Sequence, residues 1–331
     1  MVEGFGLTLL AGVVMGSALV PLKWMKAWKW ENFWLVYSLM ALVVMPVTLA
    51  FLLLPRLGSV YAELPASVMV RPFIYGAMWG VAQLGAGIAV HRIGLGLSTS
   101  ILNGICAASG TLLPLSIQHP EMLLQRSGLL ILGGTLVMAA GLVFCGWAGH
   151  QREMATGQLK SAGSGYRGIL ALTIISGFLA ALLNIALAFG GDIVKKAEEA
   201  GAAPAWAPFA VWPVALAGGF LVNAAYSLYL MSRNQTWSSF GGGPRELANP
   251  LLAGAMWMGA IALYSSATTL LGVLGVSVGW ALFQVLMILT GNVAGMLTGE
   301  WRNVAPSISR ANLAGVVILL AALVLIGAAN S

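Results

Sequence analysis

The chain has 331 residues, of which 59% are hydrophobic and only 8% charged, and its mean hydropathy is positive. That leaves too little polar surface to cover a soluble globule of this length, so the composition excludes a soluble protein and places the chain in lipid. The net charge of +6 is accounted for by loop asymmetry, described below, and leaves nothing for a nucleic-acid partner to explain.

Only helices or closed barrels satisfy every backbone polar group inside a bilayer, and a helix needs about 20 apolar residues to cross it. Short alternating barrel strands are not the pattern here. Long apolar runs predict ten spans, at roughly 4–21, 33–54, 72–91, 95–117, 128–147, 167–189, 206–231, 250–271, 273–297 and 311–329. The first stretch has no basic leader and no small-residue cleavage site, so it reads as a retained helix. Between spans 6 and 7, Asp192 to Pro204 carries Lys195, Lys196, Glu198 and Glu199 at helical spacing; a solvated surface helix and a gating lid are both open. Spans 8 and 9 are separated only by a tight turn near Gly272. Cys106 and Cys145 fall inside spans with no metal-ligand spacing around them and read as buried apolar thiols.

The tetrapeptide Gly-Ala-Met-Trp occurs at 76–79 and again at 254–257, each copy lying in a predicted span. Setting Gly76 over Gly254 also sets Gly94 over Gly272. The polar stretch Gly149 to Tyr166 reads as a linker. The expected organisation is therefore a first five-helix repeat at 1–148, a cytoplasmic linker at 149–166 and a second five-helix repeat at 167–331. Five is odd, so the second copy enters the membrane inverted, as in secondary transporters that bind substrate near the midplane. Loops after even-numbered spans hold Arg56, Arg71, Arg126, Lys195 and Lys196, and the other loops hold the remaining eleven of 16 Lys and Arg. Positive charge stays on the cytoplasmic side, which places both termini outside.

Pro21-Leu22-Lys23, Trp28-Lys29-Trp30-Glu31 and Trp34 resemble the L-rhamnose/proton symporter family of the drug/metabolite transporter superfamily. So do Leu53-Leu54-Pro55, Gly76 to Gly80, Gly110-Thr111-Leu112, and Glu300-Trp301 with Asn303. These segments run over nearly the whole chain in the expected order. The resemblance implies ten helices and uptake of a 6-deoxyhexose with protons across a bacterial-type cytoplasmic (inner) membrane. Span 9 holds no acid, and Glu31, His91, Asp192 and Glu300, the candidates near membrane depth, all lie toward helix ends. Proton coupling is thus implied by the family, with no central carboxylate beside it.

No Ser/His/acid set, metal cluster or phosphate loop can be assembled, so the chain does not read as an enzyme and no cofactor is expected beyond a coupling proton. A sugar carrier needs amides and hydroxyls for the sugar hydroxyls and an aromatic face for its C–H surfaces. Trp79 and Gln83 share a face of span 3, and Trp280 with Gln284 repeats the spacing in span 9. Asn103 in span 4 and Asn184 in span 6 add amides, while Trp257, Tyr264 and Thr268 share a face of span 8. Each has a structural alternative: amides also glue helices together, and Trp also anchors at interfaces. Trp79 and Trp257 would form opposing walls of one cavity, although only the first is followed four residues later by a Gln; the second has Ile261. Trp24, Trp28, Trp30 and Trp34 sit with lysines at a boundary and read as anchors. Gly76 with Gly80 and Gly291 with Gly295 have close-packing spacing. Lys23, Glu31 and His91 are the gate or proton-coupling candidates, with Glu31 otherwise free to pair with a neighbouring lysine. An exporter or exchanger of small metabolites or drugs is the first alternative, and a non-transporting membrane sensor or enzyme the second. Which sugar binds, whether H⁺, Na⁺ or nothing is coupled, and whether the protein is a monomer or homodimer are left open by sequence.

Overall fold

The computed structural model describes residues 2–157, 165–297, 299, 301–302 and 304–330, apart from the side chains of Lys23 and Asn330. Glu300, Asn303 and residues 158–164 of the linker expected at 149–166 therefore lie outside the described residues. Among those described, ten helical stretches are long and apolar enough to cross a bilayer, and there is no strand. The protein is an all-α, multi-pass membrane protein.

Helix α1 (Val2–Ser17) continues into a 3-10 turn at Val20–Trp24. Helices α2 (Trp30–Leu39) and α3 (Met45–Leu53) form one span, joined by a π turn at Met40–Val44. There the Met45 N–H reaches back five residues to the Met40 carbonyl. Pro46 follows and has no N–H to continue the ordinary ladder, which accounts for the wider register. The short α4 (Leu57–Ala62) precedes α5 (Ala66–Ile93), α6 (Leu95–Gln118), α7 (Arg126–Ala155) and α8 (Tyr166–Ala188). Next come α9 (Gly191–Glu199), α10 (Trp212–Asn234), α11 (Pro244–Leu270), α12 (Gly275–Leu297) and α13 (Pro306–Gly327). The turn at Gly272 has φ of 76°, a conformation that favours glycine.

The helices outrun the apolar spans furthest at three ends. Proline suits the first turn of a helix, and the expected starts at 72 and 250 fall on Pro72 and Pro250. Both prolines lie inside their helices, which begin at Ala66 and Pro244. At the third end, α7 continues to Ala155, past the apolar limit near 147. The segment after span 6 is a surface helix: α9 buries Ile193 and Ala197, while Lys196 lies 2.6 Å from Glu63 and 3.6 Å from Glu199.

The chain divides into two compact units, Met1–Val81 with Leu182–Leu270 and Ala82–Ala181 with Leu271–Ser331. In the first, α5 and α10 meet backbone to backbone. A Cβ on Gly76 would strike the Ala215 carbonyl, one on Gly80 would lie 3.0 Å from the Gly219 carbonyl, and one on Gly218 would strike the Phe73 carbonyl. Lipid chains are as apolar as the helices, so such close approach, more than hydrophobic burial, holds them together. Gly254 of α11 likewise fits against the Tyr37 carbonyl and Met40 at the π turn. In the second unit, Ala107, Met138, Leu142, Val285, Leu289 and Leu319 form the core, and Gly141 and Gly315 let α7 and α13 approach closely. The close-packing expectation for Gly291 fails, because a Cβ there would meet nothing within 4 Å among the described residues.

Candidate functional site

In the first unit, α11 carries Trp257, Tyr264, Ser265 and Thr268, all buried. Residues seven and eleven positions after Trp257 return to its face, as the spacing required. The Tyr264 hydroxyl donates to Asn184 Oδ1 of α8 at 2.5 Å. Trp212 Nε1 donates to Ser265 Oγ at 2.7 Å, and that hydroxyl donates on to the Ile261 carbonyl at 2.8 Å. Thr268 donates to the carbonyl of Ser265 at 2.7 Å, so its donor is satisfied within its own helix. Trp79 of α5 leans on Trp257, with ring centroids 5.5 Å apart and planes 40° apart. Direct ring contact at this separation leaves no room for a sugar between them. The two tryptophans form one joined surface, which corrects the picture of opposing walls.

The same unit changes the reading of the tryptophan cluster near residue 30. Trp24 and Trp30 are exposed, consistent with anchors. Trp34 instead donates through Nε1 to Asn223 Oδ1 at 2.8 Å, and Asn223 donates to the Gly219 carbonyl at 2.9 Å. Trp28 is buried and donates to the Gly241 carbonyl at 2.7 Å. Trp30, Trp34 and Tyr37 stack along α2, with successive centroids 5.0 and 4.9 Å apart. Glu31 is buried and not a surface charge. Its Oε1 accepts from Thr236 Oγ1 at 2.9 Å and Asn234 Nδ2 at 3.0 Å, which ties the start of α2 to the end of α10. The Lys23 side chain lies outside the described residues, and His91 is exposed in the last turn of α5.

In the second unit, Trp280 Nε1 of α12 donates to the Cys106 carbonyl of α6 at 3.3 Å, and Gln284 Nε2 lies 3.3 Å from Cys106 Sγ. Gly110 makes room for the Trp280 ring, since a Cβ there would clash with its indole nitrogen. Asn103 lies three residues before Cys106 and seven before Gly110, and so shares their face of α6. Asn103 and Gln83 are half-buried and make no side-chain hydrogen bond among the described residues. In hydrocarbon, such amides need a partner or water.

Two buried carboxylates were not anticipated, because both lie just outside the apolar spans. Glu246, in the first turn of α11, accepts from the backbone N–H groups of Lys26 at 3.0 Å and Trp28 at 3.5 Å. Glu153, in the last turn of α7, accepts from the Gly96 N–H at 2.8 Å. Its other oxygen, Oε2, is buried without a partner among the described residues. An acid within two turns of an apolar run, next to a basic residue, is the only trace of these sites in the sequence.

The L-rhamnose-proton symport protein (RhaT) family matches residues 4–330. The chain belongs to that family. Similar curated proteins include the L-rhamnose-proton symporter of Mannheimia succiniciproducens, 25% identical over 94% of this chain and 93% of its own. That of Shigella sonnei is 26% identical over the same shares, and that of Klebsiella pneumoniae subsp. pneumoniae is 27% identical over 91% of this chain and 90% of its own. In this RhaT-family chain, the segments carrying the resemblance now have places. Glu31 and Trp34 hold α2 to the end of α10 and to Asn223, Gly76 and Gly80 seat α5 against α10, and Gly110 lies beneath Trp280.

Proposed function

We propose that the chain imports L-rhamnose or a related deoxy sugar together with protons across a bacterial cytoplasmic membrane, by alternating access. The observation that carries this reading is the family match over residues 4–330. The buried clusters supply chemistry that suits it. In the first unit Asn184 and Tyr264 offer hydrogen-bonding groups beside the Trp79–Trp257 surface, which can cover the C–H face of a pyranose. In the second unit Gln284, Trp280, Asn103 and Gln83 are a separate set of the same chemical kind. Thr268 contributes through helix packing.

The proposed architecture is two inverted five-helix repeats, 1–148 and 167–331, joined by the cytoplasmic linker 149–166, as in the drug/metabolite transporter superfamily. Charge bias supports placing both termini outside. Lys23, Glu31 and His91 are proposed gate or coupling residues on the cytoplasmic side. Of these Glu31 has the strongest support, since its buried carboxylate joins two spans of one unit. The test is uptake of labelled rhamnose, fucose and glucose into proteoliposomes, with and without an imposed pH gradient. Gradient-dependent accumulation of rhamnose is expected; failure of every sugar to accumulate or compete overturns the reading.

A further inference from the structure

Of the three carboxylates buried among the described residues, Glu31 and Glu246 are tied up by donors, Thr236 and Asn234 for the first and two backbone N–H groups for the second. Glu153 differs. It is 3% exposed, one oxygen accepts from Gly96 N–H, and the other is buried with no donor among the described residues. Arg152 is a weak partner, with Nη2 3.8 Å from Oε1, beyond ordinary hydrogen-bond reach; its guanidinium lies 5.1 Å from the ring centre of Trp301. Oε2 therefore keeps an open acceptor site that a proton can fill.

We propose that Glu153 is a proton-binding residue of the transport cycle. The inference rests on the reading of the chain as a proton-coupled importer. A proton arriving from water adds to Oε2 and makes the carboxyl neutral; its release to water restores the anion, with no other bond made or broken covalently. What changes is the bond from Gly96. A hydrogen bond to a charged acceptor is about twice as strong as one between neutral groups, so protonation loosens the hold of α7 on the first turn of α6. The two helices cross there at Gly96 and Gly149, where a Cβ on either glycine would press on the other's backbone. Ten residues along α6, about 15 Å at 1.5 Å per residue, Cys106 meets Gln284 and Trp280. One stiff helix thus joins the proton site to the amide and aromatic groups of the same unit.

The charged and titratable neighbours are few. On α7 they are Arg152 and His150, whose Nδ1 is also buried without a partner among the described residues. The first turns of α6 offer none beyond the backbone N–H. His91 and Arg92 at the end of α5, Arg302 after Trp301 and Arg310 of α13 are all exposed. Glu300 lies outside the described residues.

The experiment compares wild type, Glu153→Gln and Glu153→Asp in proteoliposomes. For Glu153→Gln, rhamnose counterflow without a gradient should stay within about two-fold of wild type, while pH-gradient-driven accumulation and rhamnose-induced proton uptake fall by about ten-fold or more; Glu153→Asp should restore part of both. Wild-type accumulation by Glu153→Gln overturns the proposal, and so does joint loss of counterflow and accumulation, which would make Glu153 scaffold. Amide hydrogen exchange over residues 94–100 gives a readout that needs no sugar. Corrected for intrinsic rates, protection in wild type should drop as pH falls, whereas in Glu153→Gln it should not depend on pH. Identical pH profiles overturn the proposal even if rhamnose proves to be the wrong substrate, whereas wild type that carries no sugar while the profiles differ refutes only the import reading.

Discussion

Replacing Tyr264 with Phe keeps a fully buried ring in place and removes the hydroxyl that donates to Asn184 Oδ1 at 2.5 Å. Hydrogen bonds between membrane helices are worth about 0.6 kcal/mol on average and up to about 1.7. If that bond serves to orient the Asn184 amide for a sugar hydroxyl, its loss weakens rhamnose binding by about 3- to 16-fold, taking 1.4 kcal/mol per decade. Asn184→Ala removes the amide itself and should weaken binding further. In a double-mutant cycle measured by calorimetry on purified protein, the two substitutions should couple by about 0.6 to 1.7 kcal/mol, with the double variant no worse than Asn184→Ala alone. Effects that add within about 0.5 kcal/mol, or wild-type affinity in Tyr264→Phe, would refute the argument that this bond orients a ligand group.

Gly110→Ala places a methyl against the Trp280 indole, which cannot swing away without losing its bond to the Cys106 carbonyl; a loss of about 1 to 3 kcal/mol should show as a lower melting temperature and slower uptake. Glu246→Gln turns charge-assisted bonds to the Lys26 and Trp28 N–H groups into neutral ones, at a cost of about 1 kcal/mol, and faster tryptic cleavage at Lys26 and Lys29 should report the loosened loop. Glu31→Gln keeps an oxygen for Thr236 and Asn234 but removes the charge. An altered uptake rate with unchanged proton stoichiometry is expected, and wild-type rates would remove Glu31 from the gate.

Apolar runs located the ten spans because lipid demands them, and helical periodicity put Tyr264 and Thr268 on the face of Trp257. Periodicity gives the face of a helix and says nothing of its neighbour. The partnership of Asn184 with Tyr264, 80 residues apart, and the role of Cys106 beneath Trp280 and Gln284 therefore appear only in three dimensions. Glu153 and Glu246 escaped notice for another reason. Hydropathy falls at the edge of the hydrocarbon, whereas backbone bonding carries a helix on into the headgroups, and buried carboxylates can sit in that extra turn. Trp28 and Trp34 show the limit of composition: their neighbours are those of interfacial anchors, but their indole N–H groups point to Gly241 and Asn223.

The π turn at Met40–Val44 gives the second span one residue more than an unbroken α-helix would use to cover the same rise. A single-residue deletion within it could therefore be absorbed without breaking the helix, something few other points in a packed span would tolerate. Its effect would be rotational, because one residue is about 100° of turn at 3.6 residues per turn. With α3 holding the far side, the shortened span would swing Trp34 off Asn223, Glu31 off Thr236 and the Tyr37 carbonyl off Gly254 together. Chain length at this one point is thus what aims the whole aromatic face.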